Sequence, residues 1–167
     1  MRKLLLILCA GLLLYLAKNA SSADFQRGLD AYYEKDYETA LREWKPLMEA
    51  GIARAQYYLG IMYEHGQGVE KDLEWAVQLY QFAAEQGDVR GQYALASAYT
   101  KGSIDGKGVD YIAAHMWANV AALNGSKGGA KPRDWVLNRM SPRDIQEAKS
   151  LLRTCVLNKY KNCFREK

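Results

Sequence analysis

Residues 53–63 read ARAQYYLGIMY and residues 89–99 read VRGQYALASAY, a match at a shift of 36 residues that pairs Arg54, Gln56, Tyr57, Leu59 and Tyr63 with Arg90, Gln92, Tyr93, Leu95 and Tyr99. The match resumes beyond a turn, where Gly66, Gly68, Val69, Ala76, Ala83, Ala84 and Gly87 correspond to Gly102, Gly108, Val109, Ala114, Ala121, Ala122 and Gly125. The connecting loop is longer in the second copy. An earlier unit from Phe25 to Gly51 is more degenerate; its Asp36, Ala40 and Gly51 lie 36 residues before Asp72, Ala76 and Gly87, and its turn shortens to Glu34-Lys35-Asp36. A period between 20 and 50 residues is the mark of a solenoid, in which each unit buries an apolar face against the next.

Each unit reads as two helices. Ala55, Leu59, Met62 and Tyr63, then Trp75, Ala76, Leu79 and Ala83, recur at three- and four-residue spacing, the period of one helical face. Gly66 and Gly68 separate the two helices because glycine takes positive φ without a steric penalty, and Gly87 ends the unit in the same way. Ala83-Ala84 and Ala121-Ala122 allow close approach of neighbouring helices. The expected boundaries are 24–52 for the truncated unit, 53–88 for the full repeat and 89–127 for the second repeat, with capping helices and a tail over 128–167. In the last segment Ser141, Pro142 and Asp144 make an N-terminal helix signal, and Ile145, Ala148, Leu152, Cys155 and Val156 give an apolar stripe.

The chain has 167 residues, 49% apolar, 25% charged and 11% aromatic, which suits one ordinary folded domain. Its N-terminus carries Arg2 and Lys3 before an apolar run from Leu4 to Leu16, and Ser21 and Ala23 stand where a cleavage site needs small residues. A secretory signal over 1–23 is the expectation. Thirteen residues make only ~20 Å of helix, short of the ~30 Å hydrocarbon core, so a retained spanning anchor is the weaker alternative and no stable membrane span is expected after cleavage. Leu8 before Cys9 argues against a lipidation site. Removing Arg2, Lys3 and Lys18 leaves 20 basic against 19 acidic residues, which withdraws support from nucleic acid as a partner. A periplasmic or secreted chain, a monomer by expectation, would retain Cys155 and Cys163 as an even pair in an oxidising compartment. A disulfide between them requires the helix to end in the interval, at Asn158 or Asn162; two unpaired thiols are the alternative.

Chemistry has few carriers. His65-Gly66-Gln67-Gly68 contains G-x-G without a preceding strand or a third glycine, so it reads as a turn; Gly102 to Gly108 is one residue short of a phosphate loop. His65 and His115 have no ligand-spaced Cys or second His, and no serine acyl-enzyme motif occurs. Carboxylate pairs such as Glu43 with Glu49, or Glu70 with Asp72, read as solvated charges or helix-dipole partners. No cofactor, metal or catalytic residue is expected.

The pattern A-Q-x-x-L-G-x-x-Y at Ala55, Gln56, Leu59, Gly60 and Tyr63, followed by Gly66 to Val69, Asp72, Ala76, Ala83-Ala84 and Gly87, resembles the Sel-one-like repeats, relatives of the tetratricopeptide repeats. The second copy departs from it at Gly91, Ala96 and the loop from Ser103 to Lys107. The resemblance covers about 100 residues and implies an all-α, short right-handed α/α solenoid with a C-terminal capping helix, onto which the disulfide would pin the tail. It also implies a non-catalytic adaptor of the cell envelope that binds a protein or peptide on its concave face. Rival readings are an enzyme acting on a cell-wall or β-lactam substrate, as described for some cysteine-rich members whose one disulfide per repeat this chain lacks, and a self-stacking structural subunit. In such solenoids the first helix of each repeat lines the concave surface. There Tyr57 aligns with Ile61 and Glu64, and Tyr93 with Ser97 and Thr100, forming a candidate tyrosine ladder, while Tyr63 and Tyr99 are expected in the core.

Overall fold

A computed structural model describes residues 22–102, 108–161 and 163, and among them every regular element is a helix. The first, α1, runs over 22–33. It is followed by α2 (Tyr37–Glu49), α3 (Ala53–His65), α4 (Leu73–Glu85), α5 (Val89–Lys101), α6 (Tyr111–Leu123), α7 (Ala130–Leu137) and α8 (Pro142–Leu157). Successive helices pack as pairs, α3 on α4 and α5 on α6, and the pairs stack through α2 on α3, α4 on α5 and α6 on α7. The chain is an all-α helical-repeat solenoid.

Local chemistry fixes the joints. Asp36, Asp72 and Asp110 each cap the second helix of a pair, their carboxylates accepting from the amides of Thr39 at 3.1 Å, Trp75 at 2.9 Å and Ala113 at 2.9 Å. Gly66 and Gly102 end the first helices in left-handed conformation, both at φ 68°. Where α3 crosses α4, Gly60 lies under the Tyr80 ring: a Cβ at 60 would stand 2.5 Å from a ring carbon. The same contact recurs in the first unit, where a Cβ at Gly28 would collide with the Trp44 indole. In the third unit the equivalent positions are Ala96 and Ala118, both wholly buried. A small side chain on both helices there replaces a glycine facing a ring, which accounts for the departure at Ala96. Gly91 has its own reason. A Cβ there would lie 2.7 Å from that of Ala83 and 3.0 Å from the Ala84 amide nitrogen, across the joint between repeats.

Beyond the second repeat, α7 packs on α6 as α5 packs on α4, so stacking continues through a segment whose sequence shows no repeat. Helix α8 then lies along α6. Covered by α5, α7 and α8, α6 buries residues around most of its circumference, including Ile112, Met116, Trp117 and Val120. Ser141 and Asp144 form a reciprocal capping box at the start of α8. Asn158 ends that helix, while Asn162 falls outside the described residues. The left-handed backbone that turns the tail falls instead on Lys159 (φ 53°) and Tyr160 (φ 68°). Cys155 and Cys163 come within disulfide-bonding distance, Cα atoms 4.7 Å apart, in the same cluster as Tyr80, Trp117 and Val120.

Two buried glutamines at equivalent repeat positions stitch these parts together. Gln56 accepts from the Gln86 side chain at 2.7 Å. Gln92, with no exposed surface, donates to the Ala84 carbonyl at 3.2 Å and accepts from Asn124 at 2.9 Å; Asn124 in turn accepts from the Tyr160 hydroxyl at 2.9 Å. This chain of bonds joins α4, α5, the end of α6 and the tail. Replacing Gln92 by Ala is expected to lower stability by about 1–3 kcal/mol, because the Ala84 carbonyl and the half-buried Asn124 amide both lose a partner. Urea denaturation checks the magnitude, and hydrogen exchange at the Tyr160 amide should quicken before that of the α3–α4 pair.

Candidate functional site

The first helices α3 and α5 carry the residues that the ladder requires, held side by side by α4. Tyr57 is half-buried, at the margin of the core; its ring centroid is 5.1 Å from that of Tyr58 and 6.1 Å from that of Tyr80. Burial raises the pKa of its hydroxyl, with the Tyr58 hydroxyl acting in the same direction. Ile61 sits one turn on, also packed on the core. Glu64 follows, accepting from the Tyr80 hydroxyl at 2.6 Å and from Lys101 of α5 at 2.9 Å. Burial alone would raise the Glu64 carboxyl, but these two donors outweigh it and hold the group below the usual carboxylate range.

On α5, Tyr93 is half-buried and stands over the turn after α6, where a Cβ on Gly128 would lie 3.1 Å from its ring. Ser97 and Thr100 are half-buried, with the Thr100 hydroxyl donating to the Ser97 carbonyl at 2.7 Å. The contrast expected between an available pair and a packed pair of tyrosines does not hold. Tyr63 and Tyr99 are half-buried at the core margin, as Tyr57 is, because the first helices lie at the edge of the stack rather than inside it. What distinguishes Tyr57 and Tyr93 is the neighbour each meets, an arginine in one case and a loop glycine in the other.

Arginine is the feature missed by reasoning from tyrosines alone. Arg54 places its guanidinium 4.2 Å from the centroid of Phe25 on the preceding first helix. One repeat later, Arg90 stands 5.1 Å from Tyr57 and 5.6 Å from Tyr58. Arg90 is itself anchored by Asp88, through its Nε at 3.2 Å and Nη2 at 2.6 Å. Burial would raise the Asp88 carboxyl, and the guanidinium with the amides of Arg90 and Gly91 overrides it. The identity of Arg54 with Arg90 at the 36-residue shift was the available signal. Together Phe25, Arg54, Tyr57, Tyr58 and Arg90 form a series of rings and guanidinium groups across α1, α3 and α5, with Tyr93 one turn beyond Arg90 on α5.

Other candidates have ordinary partners. Glu43 pairs with Arg27 at 2.9 Å, and Asp72 is occupied as an N-cap. Tyr63 and residues 69–73 line an open cleft beneath the first long turn. His65 is exposed and bonded through Nδ1 to the Ile61 carbonyl at 3.0 Å. Among the described residues no three of His, Cys, Asp and Glu gather as a metal site, and no helix is long and apolar enough to cross a membrane.

The Sel1 repeat family model matches residues 53–88 and 89–126. A Sel1 repeat protein from Oxalobacter formigenes has a solved structure that is 30% identical, with a TM-score of 0.60, over 73% of this chain and 96% of that one. The chain belongs to the Sel1 repeat family. A protective antigen of uropathogenic Escherichia coli with an SLR fold shares the architecture at a TM-score of 0.77 and 24% identity, over 86% of this chain; that match spans 31% of the antigen's length. A search of curated proteins found no match. Sel1 repeat proteins generally serve as protein-interaction adaptors, and their fold is typically a non-enzymatic scaffold.

One titration should report on the stack carrying this face. His115 of α6 is buried, and burial lowers its pKa, with the charges of Arg133 and Lys149 adding to the effect. Its imidazole therefore binds a proton less readily folded than unfolded, so its contribution to stability is complete above about pH 6.5 and is lost as pH falls. His115→Gln is expected to flatten the loss of stability between about pH 7 and pH 5, as measured by melting temperature across that window.

Proposed function

We propose that this Sel1 repeat protein is a non-catalytic interaction module of the cell envelope, binding a protein or peptide partner along the first-helix face formed by α3 and α5. The observation that carries this reading is the stacking of Arg54 on Phe25 and of Arg90 on Tyr57 and Tyr58, with Tyr93 one turn beyond Arg90 on α5. Arginine, tyrosine and tryptophan are the residues enriched where interfaces gain most of their affinity: tyrosine presents a large, partly apolar surface with little rotamer freedom to lose, and Arg90 is already held in place by Asp88. The Glu64–Lys101 pair and the Ser97 and Thr100 side chains supply polar contacts beside that surface. Secretion supports an envelope partner. Phe25, 4% exposed under Arg54 and against Trp44, is the first core side chain among the described residues, directly after the expected cleavage at Ala23. The Cys155–Cys163 pairing suits an oxidising compartment.

A photo-crosslinking residue at position 93 should capture the partner in the native envelope, and Arg90→Ala with Tyr93→Ala should weaken its binding by at least about tenfold. Phe82→Ala on α4 serves as the control, because it is exposed on a second helix and should leave binding unchanged. Loss of stability without loss of affinity in the α5 variant would assign these residues to packing. Intact-mass analysis of the same material is expected to place the N-terminus at or within a few residues of Asp24.

A further inference from the structure

Charge is divided sharply along the sequence. Residues 24–126 hold 9 basic and 15 acidic residues, whereas residues 127–167 hold 11 basic and 4 acidic. Among the described residues, this basic segment also carries most of the large apolar side chains that the fold leaves exposed: with Leu123 just before it, Trp135, Leu137, Val156 and Leu157 outnumber Tyr33 and Phe82 elsewhere. One edge brings both features together. The hydrogen bond from Tyr160 to Asn124 sets the end of α8 beside the end of α6, so Leu123, 69% exposed, and Leu157, 81% exposed, flank that joint. Lys127, Lys159 and Lys161 are exposed on the same two turns.

Repeat logic marks Leu123 as out of place. The equivalent positions, two residues before the loop glycines Gly51, Gly87 and Gly125, hold Glu49, Glu85 and Leu123. Two units thus put a carboxylate where the third puts leucine. The tail is likewise shaped for presentation. The Cys155–Cys163 link closes a loop of 8 residues, within which Tyr160 turns inward to Asn124 while Leu157, Lys159 and Lys161 remain outward. Of the carboxylates near this edge, Asp88 is paired with Arg90 at 2.6 Å, while Glu85 accepts a hydrogen bond from Gln81 at 3.3 Å and keeps its charge.

We propose that this edge is a peripheral membrane-docking surface, with Lys127, Lys159 and Lys161 meeting anionic phospholipid headgroups and Leu123 and Leu157 entering the interface between headgroups and acyl chains. Paired apolar and basic contacts are what stable, reversible attachment to a bilayer needs when no helix spans it. The acidic repeats are repelled by the same surface, which orients the molecule with its C-terminal edge down. The closed loop constrains the backbone that carries Lys159 and Lys161, so less backbone ordering accompanies docking.

Vesicle co-sedimentation at about 0.1 M salt tests this, comparing phosphatidylcholine alone with phosphatidylcholine containing one quarter phosphatidylglycerol. Every variant is compared in the same secreted form as the wild-type chain, with its N-terminus checked by intact mass, so contrasts between variants isolate the edge. The wild-type chain should partition preferentially to the anionic vesicles. Lys127→Gln/Lys159→Gln/Lys161→Gln should weaken that binding at least about tenfold, and Leu123→Ser/Leu157→Ser should do the same while circular dichroism stays unchanged. Equal binding to both vesicle types, or insensitivity to the lysine substitutions, would overturn the proposal. So would a solution mass that rises with concentration and falls with the same lysine substitutions while vesicles bind nothing, since the edge would then pair with a second copy.

Discussion

The crossing of the two helices within each unit is the constraint on which the structure depends. At that point backbone must come close enough for a ring to lie on it, and the solution is glycine facing Trp44 or Tyr80, or alanine on both sides in the third unit. Close packing leaves no slack at such a contact: one added methyl group must displace a ring that is itself held, as Tyr80 is by its hydroxyl bond to Glu64. The distance between helices in a pair follows from this, and with it the pitch of the stack.

From that geometry the outer features follow in turn. Fixing α3 and α5 at one repeat spacing brings Arg90 over Tyr57 and Tyr58, as α1 and α3 bring Arg54 over Phe25. It also sets the Gln92 side chain between the Ala84 carbonyl and Asn124, where it ties the joint between repeats to the C-terminal tail. Buried amides of this kind are demanding, because each donor and acceptor must be matched or its desolvation is uncompensated. Their equivalence at Gln56 and Gln92 makes the same joint twice.

Most of the helix order and both full repeats were legible because periodic apolar spacing, capping aspartates and loop glycines are local signals that repetition reinforces. That α8 ends between Cys155 and Cys163 was legible for a different reason, since a bridge between cysteines 8 residues apart excludes an unbroken helix; Asn158 and Asn162 were both open, and the helix ends at Asn158. Three things were not. Stacking through α7 depends on shape complementarity with α6 and leaves no repeat in the sequence. The exposure of the tyrosines depends on where the first helices lie relative to the edge of the core, which spacing alone does not fix. The stacking of Arg54 and Arg90 on rings from the preceding unit is a contact between helices about 30 residues apart, visible only as an identity whose meaning needs the third dimension.

The central claim is that the α3–α4 crossing is set by glycine beneath a ring, and a double-mutant cycle on Gly60 and Tyr80 addresses it directly. Taken alone, Gly60→Ala should gain up to about 1 kcal/mol from helix propensity, while overpacking against the ring should cost about 1–3 kcal/mol. In urea denaturation the account predicts that Gly60→Ala destabilises the wild-type chain and stabilises the Tyr80→Ala chain, whose crossing then copies the Ala96 and Ala118 arrangement. Equal effects of Gly60→Ala in the two backgrounds would contradict it.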